Sequence, residues 1–224
     1  MCGRYSLTAD FQVIEDRFGE ATFDITKYEE SYNITPSQMV LSVVNDGSKN
    51  RLGFLKWGLI PPWAKESKIG FKMINARSET VHEKPSFREA FKRKRCLVIA
   101  DSFYEWKRTD ERKIPMRIKM KNDELFAMAG LWESWKSPEG DTIHSCTILT
   151  TTPNKMMSNI HDRMPVILKP NDEQKWLNPE LNTLDELKKF LIPLEDGYLE
   201  AYEVSDKVNS PKNNSPELIE KVGN

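Results

Sequence analysis

The chain is poor in cysteine and histidine and has no long apolar run. It contains three cysteines and three histidines in 224 residues, without a C-x-x-C or H-x-x-x-H pair. Three scattered cysteines do not make a disulfide framework and predict a reducing compartment. The same set argues against a dedicated zinc site. No apolar run approaches the roughly 20 residues of a membrane span, and no signal-peptide pattern precedes Cys2, so we expect a cytoplasmic protein.

The chain also lacks an excess of either charge. Its 33 Lys and Arg residues nearly balance 34 Asp and Glu residues, for a net charge of −1. A nucleic-acid site would therefore have to be a local cationic patch. With 38% hydrophobic residues, the length is ample for one domain with a real core.

Many short strands with helices between them predict an α+β fold. Three helices are expected, with N-caps at Thr8, Ser86 and Thr183, the last forming a capping box with Glu186. Strands are predicted at 39–44, 52–57, 96–100, 114–120, 125–131, 145–151, 164–168 and 198–204. We expect one domain over residues 1–208 with a mostly antiparallel, curved, barrel-like sheet and flanking helices. Residues 209–224 are expected to form an extended or loosely ordered tail.

The second residue is the most informative one. Removal of Met1 would leave Cys2 with a free α-amine beside its thiol, and both groups have usable nucleophilic fractions near neutral pH. Such a 1,2-aminothiol condenses with an aldehyde to an imine, which the thiol closes to a five-membered thiazolidine. The alternative is that Cys2 is only a small residue at a frayed terminus.

Further candidates lie in stretches rich in polar and aromatic residues. Glu105 stands between aromatic residues, where desolvation would raise its pKa toward the general acid/base range, unless it forms a surface ion pair. His161 is the best acid/base candidate of the three histidines, although a lone histidine is often structural. Asn75 and Arg77 suit a substrate or phosphate site, or a turn with a solvated ion pair. Trp63 follows two prolines and offers either a stacking face for a base or a cap on the core.

Taken together, these stretches resemble one family. MCGRY, YNITPSQ, WGLIPPWA, NARSET, RCLVIADSFYEWK and HDRMPVIL follow one another in the order seen in the SRAP ("SOS response-associated peptidase") family, from Cys2 to about Val208. One departure is Ser102, where the family usually has glycine; we expect it to perturb a turn without touching the chemistry.

The resemblance implies a single-domain α+β fold with a groove for single-stranded DNA. It implies a monomer that needs no cofactor or metal, acts on abasic sites in the cytoplasm and is nucleoid-associated when bound to DNA. Processed Cys2 would crosslink to the open-chain aldehyde of an abasic sugar, helped by Asn75, Glu105 and His161. The resemblance further implies that the groove is formed by phosphate-binding and lining residues, namely Arg4, Pro36, Trp63, Arg77, Thr150, Arg163 and Met164.

The chemistry of these residue types agrees with that interpretation. Ring opening of the sugar and loss of water from the carbinolamine both need an acid/base, which Glu105 or His161 would supply. Asn75 would hold the α-amine by a hydrogen bond. Three alternatives stay open: an N-terminal-nucleophile glutamine amidotransferase, which also begins Met-Cys-Gly; a non-catalytic module that binds single-stranded DNA; and a peptidase limited to removing its own Met1.

Overall fold

The computed structural model describes residues 2–19 and 27–223. Four α-helices and thirteen strands alternate irregularly along them. The helices are α1 (Phe11–Phe18), α2 (Arg88–Arg93), α3 (Pro170–Leu177) and α4 (Leu184–Lys188). The strands are β1 (Tyr5–Leu7), β2 (Ser31–Ile34), β3 (Met39–Asn45), β4 (Asn50–Trp57), β5 (Asn75–Arg77), β6 (Arg95–Ala100), β7 (Ser102–Arg108), β8 (Lys113–Met120), β9 (Phe126–Lys136), β10 (Thr142–Thr151), β11 (Met164–Pro165), β12 (Ile167–Leu168) and β13 (Leu199–Glu203).

Five of these strands close into a barrel. The pairings run β10–β4–β3–β6–β9, and β9 pairs again with β10, which completes the ring. Within the ring only the β10–β4 pair is parallel, with Cys146 opposite Trp57. Strand β5 adds to β10 in parallel, while β11 and β12 extend the same sheet in antiparallel pairings. The predicted α+β fold with a mostly antiparallel, barrel-like sheet is confirmed.

A second, five-stranded antiparallel sheet carries the amino terminus. Its order is β13–β8–β7–β1–β2, so β1 lies between β7 and β2. Tyr5 pairs with Phe103 and with Ile34, and both aromatic rings are fully buried. Because β1 is hydrogen-bonded on both edges, the short segment that precedes it is held in a fixed place.

Local sequence explains most of these elements. Asn45-Asp46-Gly47 turns the chain between β3 and β4, with Gly47 at φ +95°, a conformation that suits glycine. Strand β6 is buried along its whole length, as its apolar run predicts. Helix α3, which begins at Pro170 in the first helical turn, was not predicted.

Two of the three predicted N-caps, Thr8 and Ser86, are wrong, whereas Thr183 is at the N-cap position of α4 but without the predicted capping box. The Asp10 side chain caps α1 by accepting a hydrogen bond from the Gln12 amide, whereas the Thr8 hydroxyl donates to Asp101. Helix α2 has no side-chain cap from Ser86. Thr183 donates its hydroxyl to the Glu186 carboxylate instead of accepting from an amide, so no capping box forms.

Ser102 lies at the start of β7 and not in a turn. Its hydroxyl is fully buried and accepts a hydrogen bond from Nε of Arg117 at 2.8 Å. The Arg117 guanidinium also lies 3.7 Å from the Asp101 carboxylate. The serine therefore ties β7 to β8 by a charge-assisted hydrogen bond, and the expected perturbation of a turn does not occur.

The carboxyl-terminal segment packs back on the second sheet. Leu218 and Val208 are buried together with Tyr104 and Val204. The side-chain amide of Asn33 donates to the carbonyls of Ser210 and Asn213. Within the described residues no helix is long and apolar enough to cross a membrane.

Candidate active site

Cys2 lies just before β1 and is fully buried. The side-chain amide of Asn75, at the start of β5, donates a hydrogen bond to the Cys2 carbonyl at 2.8 Å. That Asn75 holds the free α-amine stays a prediction, because the Cys2 nitrogen is here part of the peptide bond to Met1. The Oδ1 atom of Asn75 is buried and has no hydrogen-bond partner among the described residues. Asn75 thus fixes the backbone of Cys2 with one end of its amide and keeps an acceptor at the other.

Glu105 and His161 form a second part of the site. The Glu105 side chain on β7 is 3% exposed, and its Oε2 lies 3.7 Å from Nε2 of His161. Burial raises the pKa of the Glu105 carboxyl, and the nearby His161 partly offsets the rise. Burial also raises the pKa of the Cys2 thiol, and Glu105 adds to that shift, so the two groups share one electrostatic environment.

The ring of His161 is held so that both of its protonation states find partners. The Arg163 backbone amide donates to Nδ1 at 3.0 Å, which suits a neutral ring with its proton on Nε2. The Asp162 carboxylate lies 3.0 Å from Nδ1 and the Arg163 carbonyl 3.2 Å, which suits a charged ring. His161 can therefore take up and release a proton without losing its place.

Glu105 and His161 open to solvent through one cavity. It has a volume of about 390 Å³ and is lined by Glu105, Trp106, Arg108, Lys113, His161 and Asn209. The Trp106 indole N–H donates to the Asn209 side chain, which holds the indole at the wall. Arg108, Lys113 and Asn209 were not singled out from the sequence. The sequence feature that could have indicated Arg108 is its position directly after the aromatic stretch around Glu105.

Two of the predicted phosphate-binding arginines have structural partners. The Arg4 guanidinium donates to Asn33 at 2.7 Å and to the Val208 carbonyl at 2.5 Å, and lies over the Trp106 ring. Arg163 binds both carboxylate oxygens of Glu79 and also donates to the Thr150 carbonyl at 2.6 Å. No sequence pattern indicated Glu79, rather than a neighbouring residue, as the partner of Arg163.

The other predicted DNA-contacting residues divide by exposure. Trp63 is 58% exposed and so does not cap the core, and Arg77 is exposed with no side-chain partner among the described residues. Pro36 is half-buried. Thr150 and Met164 are fully buried, so in this structure neither presents a surface to a DNA strand.

Strand β10 sets the spacing of the site. It pairs with β5 so that Thr150 is opposite Arg77, and with β11 so that Thr151 is opposite Met164. Strand β5, with Asn75 and Arg77, and the His161 loop lie far apart in the chain and are thereby brought to one end of the barrel. Within residues 2–19 and 27–223, no group of three His, Cys, Asp or Glu side chains is placed to hold a metal ion.

The fold and site define an α+β barrel protein with a buried cysteine at position 2, next to a carboxylate–imidazole pair. Comparison with known proteins gives the family: the model of the SOS response associated peptidase (SRAP) family matches residues 1–211, and the chain belongs to that family.

The chain is 58% identical over 222 residues to the abasic site processing protein YoqW of Bacillus subtilis, covering 98% of this chain and 99% of that one. It is 37% identical over 228 residues to the abasic site processing protein HMCES of Xenopus tropicalis, covering 88% of this chain and 67% of that one. A crystal structure of a Bacteroides thetaiotaomicron protein has a TM-score of 0.90 and 29% identity, covering 98% of this chain and 99% of that one.

Proposed function

We propose that this protein binds single-stranded DNA at an abasic site and, once Met1 is removed, forms a covalent crosslink to it through Cys2. The observation that carries the proposal is the convergence of Cys2, Asn75, Glu105 and His161 from four separate segments. The names of the relatives in Bacillus subtilis and Xenopus tropicalis, which describe abasic site processing, support the same substrate.

The reaction proceeds by ordinary carbonyl chemistry. The α-amine of Cys2 adds to the open-chain aldehyde of the abasic sugar to give a carbinolamine. Loss of one water forms the imine. The Cys2 sulfur then bonds to the imine carbon while the thiol proton goes to the nitrogen, giving a thiazolidine. Ring closure removes the imine, which would otherwise promote β-elimination and strand scission, so the product shields the lesion.

Glu105 supplies protons in this scheme. Because burial raises its pKa, the carboxyl is protonated closer to neutral pH than an exposed glutamate and can act as a general acid. It would protonate the leaving hydroxyl of the carbinolamine, and His161 at 3.7 Å would return the proton. The same pair would serve the opening of the closed sugar, which needs one acid and one base.

Burial of Cys2 sets the order of the two nucleophilic steps. Its thiol has a raised pKa and is therefore neutral, while Asn75 holds the adjacent carbonyl. The amine attacks first, and the sulfur follows once the imine carbon is within reach. The Oδ1 of Asn75, which has no partner among the described residues, is a suitable acceptor for an N–H of the processed amine.

The test is incubation of the protein lacking Met1 with single-stranded DNA that carries one abasic site, followed by denaturing electrophoresis. We expect an adduct that survives denaturant in wild type and is lost in Cys2→Ala. Cys146→Ala is the matched control, since it removes another buried thiol and should leave the adduct intact. A stable adduct in Cys2→Ala would overturn the proposal.

The alternatives give different results in the same preparation. A non-catalytic module would bind undamaged and abasic strands equally and form no adduct. A glutamine amidotransferase would release ammonia from glutamine. Retention of Met1 should abolish the adduct while the thiol remains, because the amine is then part of a peptide bond.

A further inference from the structure

Two cations face each other at the mouth of the cavity that holds Glu105 and His161. Arg108 is the last residue of β7 and Lys113 the first of β8, and the two are directly opposite in the antiparallel register. Both side chains are exposed and both line the cavity. Like charges directly opposite each other destabilise a strand pair, so this pair weakens the end of its hairpin.

The charges of Arg108 and Lys113 are not neutralised by the surrounding protein. Among residues 2–19 and 27–223, neither side chain has an ion-pair or hydrogen-bond partner. Arg112, in the turn between them, differs: it pairs with Glu203 at 2.6 Å and Asp206 at 3.6 Å. Residues 108–113, at the end of the hairpin, therefore carry one neutralised and two unneutralised cations, and of these three only the unneutralised ones line the cavity.

The remaining wall of the cavity adds to this cationic character. The Trp106 indole is held by Asn209 and lies beneath the Arg4 guanidinium, with the ring centroid 5.8 Å from its central carbon. The cavity thus combines an acid/base pair in its interior, an aromatic wall and a positively charged rim. Two adjacent cations with rotatable side chains match the oxygens of a phosphate group.

We propose that Arg108 and Lys113 together bind one phosphodiester of the DNA strand, next to the abasic sugar whose aldehyde Cys2 attacks. The inference rests on the proposed function and assigns a phosphate subsite to the β7–β8 hairpin. The phosphate relieves the repulsion between the two cations. It also fixes the register of the strand, so that the abasic sugar lies over Glu105 and His161.

The first measurement is the salt dependence of binding to single-stranded DNA. The Arg108→Gln, Lys113→Gln double variant should bind several-fold more weakly, and its slope of log K against log salt should fall by about 0.7, because one phosphate contact is lost. Arg112→Gln removes one cation from the same turn and is the matched control. It should leave the slope unchanged, because its charge is already paired.

The second measurement places the contact on the strand. Abasic oligonucleotides carrying a single neutral methylphosphonate, at each of the phosphates flanking the lesion in turn, are compared for affinity. At one position the methylphosphonate should weaken binding by wild type but not by the double variant. The reason is that the methylphosphonate and the double substitution remove the same contact. A methylphosphonate at any other position should weaken DNA binding by both proteins equally.

The outcomes separate this inference from the function on which it rests. Failure of wild type to form any adduct would refute the proposed crosslinking. Normal adduct formation with an unchanged salt slope in the double variant, or methylphosphonate effects that add fully at every position, would refute the phosphate subsite alone. Circular dichroism of the double variant checks that the hairpin still folds, and removing the like-charge pair should raise its melting temperature slightly.

Discussion

Glu79 binds the guanidinium of Arg163 with both carboxylate oxygens, at 2.6 and 3.0 Å. Arg163 in turn donates its backbone amide to Nδ1 of His161. An exposed acidic side chain is thereby connected to the histidine of the site through one arginine. The hydrogen bonds to Arg163 also hold the pKa of the Glu79 carboxyl below its usual range.

Glu79→Gln should loosen the His161 loop. The bidentate ion pair becomes at most a hydrogen bond from the charged guanidinium to a neutral amide oxygen, and because Glu79 is 46% exposed we expect a loss of only about 1 kcal/mol in the free energy of unfolding. Crosslinking should slow by more than that loss of stability explains. Denaturant unfolding and single-turnover rates check this, with Glu83→Gln as the control; equal rates in both variants would contradict a role for Glu79 in positioning His161.

Glu105→Gln should make the folded protein more stable at neutral pH. Because the folded pKa of Glu105 is raised, the folded state keeps a proton that the unfolded chain loses above about pH 4.3. The free energy of unfolding therefore falls as the pH rises from there through the folded pKa, and is level above it.

The glutamine variant should lack that fall in stability. Each 1 kcal/mol recovered at neutral pH corresponds to a rise of about 2–4 °C in melting temperature for a domain of this size. Thermal unfolding at several pH values measures it, and Glu111→Gln, an exposed carboxylate in the neighbouring turn, is the control. If Glu105→Gln is less stable than wild type at neutral pH, the prediction is wrong. Interactions in the folded state would then offset the whole cost of burying the ionised carboxylate.

Glu105→Gln and His161→Ala should reduce the rate of crosslinking rather than the affinity. A general acid/base typically contributes about 10²–10⁴-fold, so losses in that range are expected while binding to undamaged single strands stays near normal. In wild type the rate should decline as the pH rises above the folded pKa of Glu105, and this limb should vanish in Glu105→Gln. Parallel losses of rate and affinity would instead assign the two residues to DNA contact.

Arg77→Ala should weaken DNA binding without affecting folding. The side chain is exposed and unpaired among the described residues, so its removal should lower the salt slope by about 0.7 for single strands. Arg163→Ala, by contrast, breaks the pair with Glu79 and should destabilise the protein. The predicted preference for single-stranded over duplex DNA is tested by competition between abasic single strand, abasic duplex and undamaged strands at two salt concentrations. If the duplex competes as well as the single strand, the predicted groove for single-stranded DNA is contradicted.

Ser102→Gly should destabilise the second sheet. The substitution leaves Nε of Arg117 without its hydroxyl acceptor in a buried place, at a cost of about 1–3 kcal/mol. Chemical denaturation checks the loss against Ser134→Ala, a strand serine whose hydroxyl bonds an exposed histidine. Crosslinking at saturating DNA should be unchanged, since Ser102 does not contact the cavity.

The sequence predicted those parts of the fold that depend on neighbours in the chain. The β3–β4 hairpin follows from Asn45-Asp46-Gly47, and the buried β6 follows from its apolar run. Ring closure could not be predicted, because it pairs Cys146 with Trp57 across 89 residues in a parallel register that no local pattern encodes. The predicted cap at Thr8 failed for a related reason: threonine is a good cap by type, but its hydroxyl donates to the half-buried Asp101 instead.

For the site, resemblance identified the residues and the structure supplied their contacts. Cys2, Asn75, Glu105 and His161 do come together, and Asn75 donates to the Cys2 carbonyl, a bond that the residue types did not predict. That bond depends on the backbone path of the first residues, which side-chain types do not reveal. Arg108 and Lys113 were missed because each is an ordinary surface residue until the β7–β8 register puts them side by side.

The position of β10 has a consequence for how the protein is made. Strand β5, which carries Asn75, pairs with no strand other than β10 among the described residues, and the barrel closes only through β10. At a synthesis rate of about 5–20 residues per second, Thr151 emerges roughly 8–30 s after the start of the chain. An aminopeptidase that acts on the nascent chain in that interval meets an accessible amino terminus, whereas after release it meets a folded protein in which Cys2 is buried. The proposed mechanism therefore requires Met1 to be removed before the barrel closes, and slowing that removal should leave a folded population that forms no adduct.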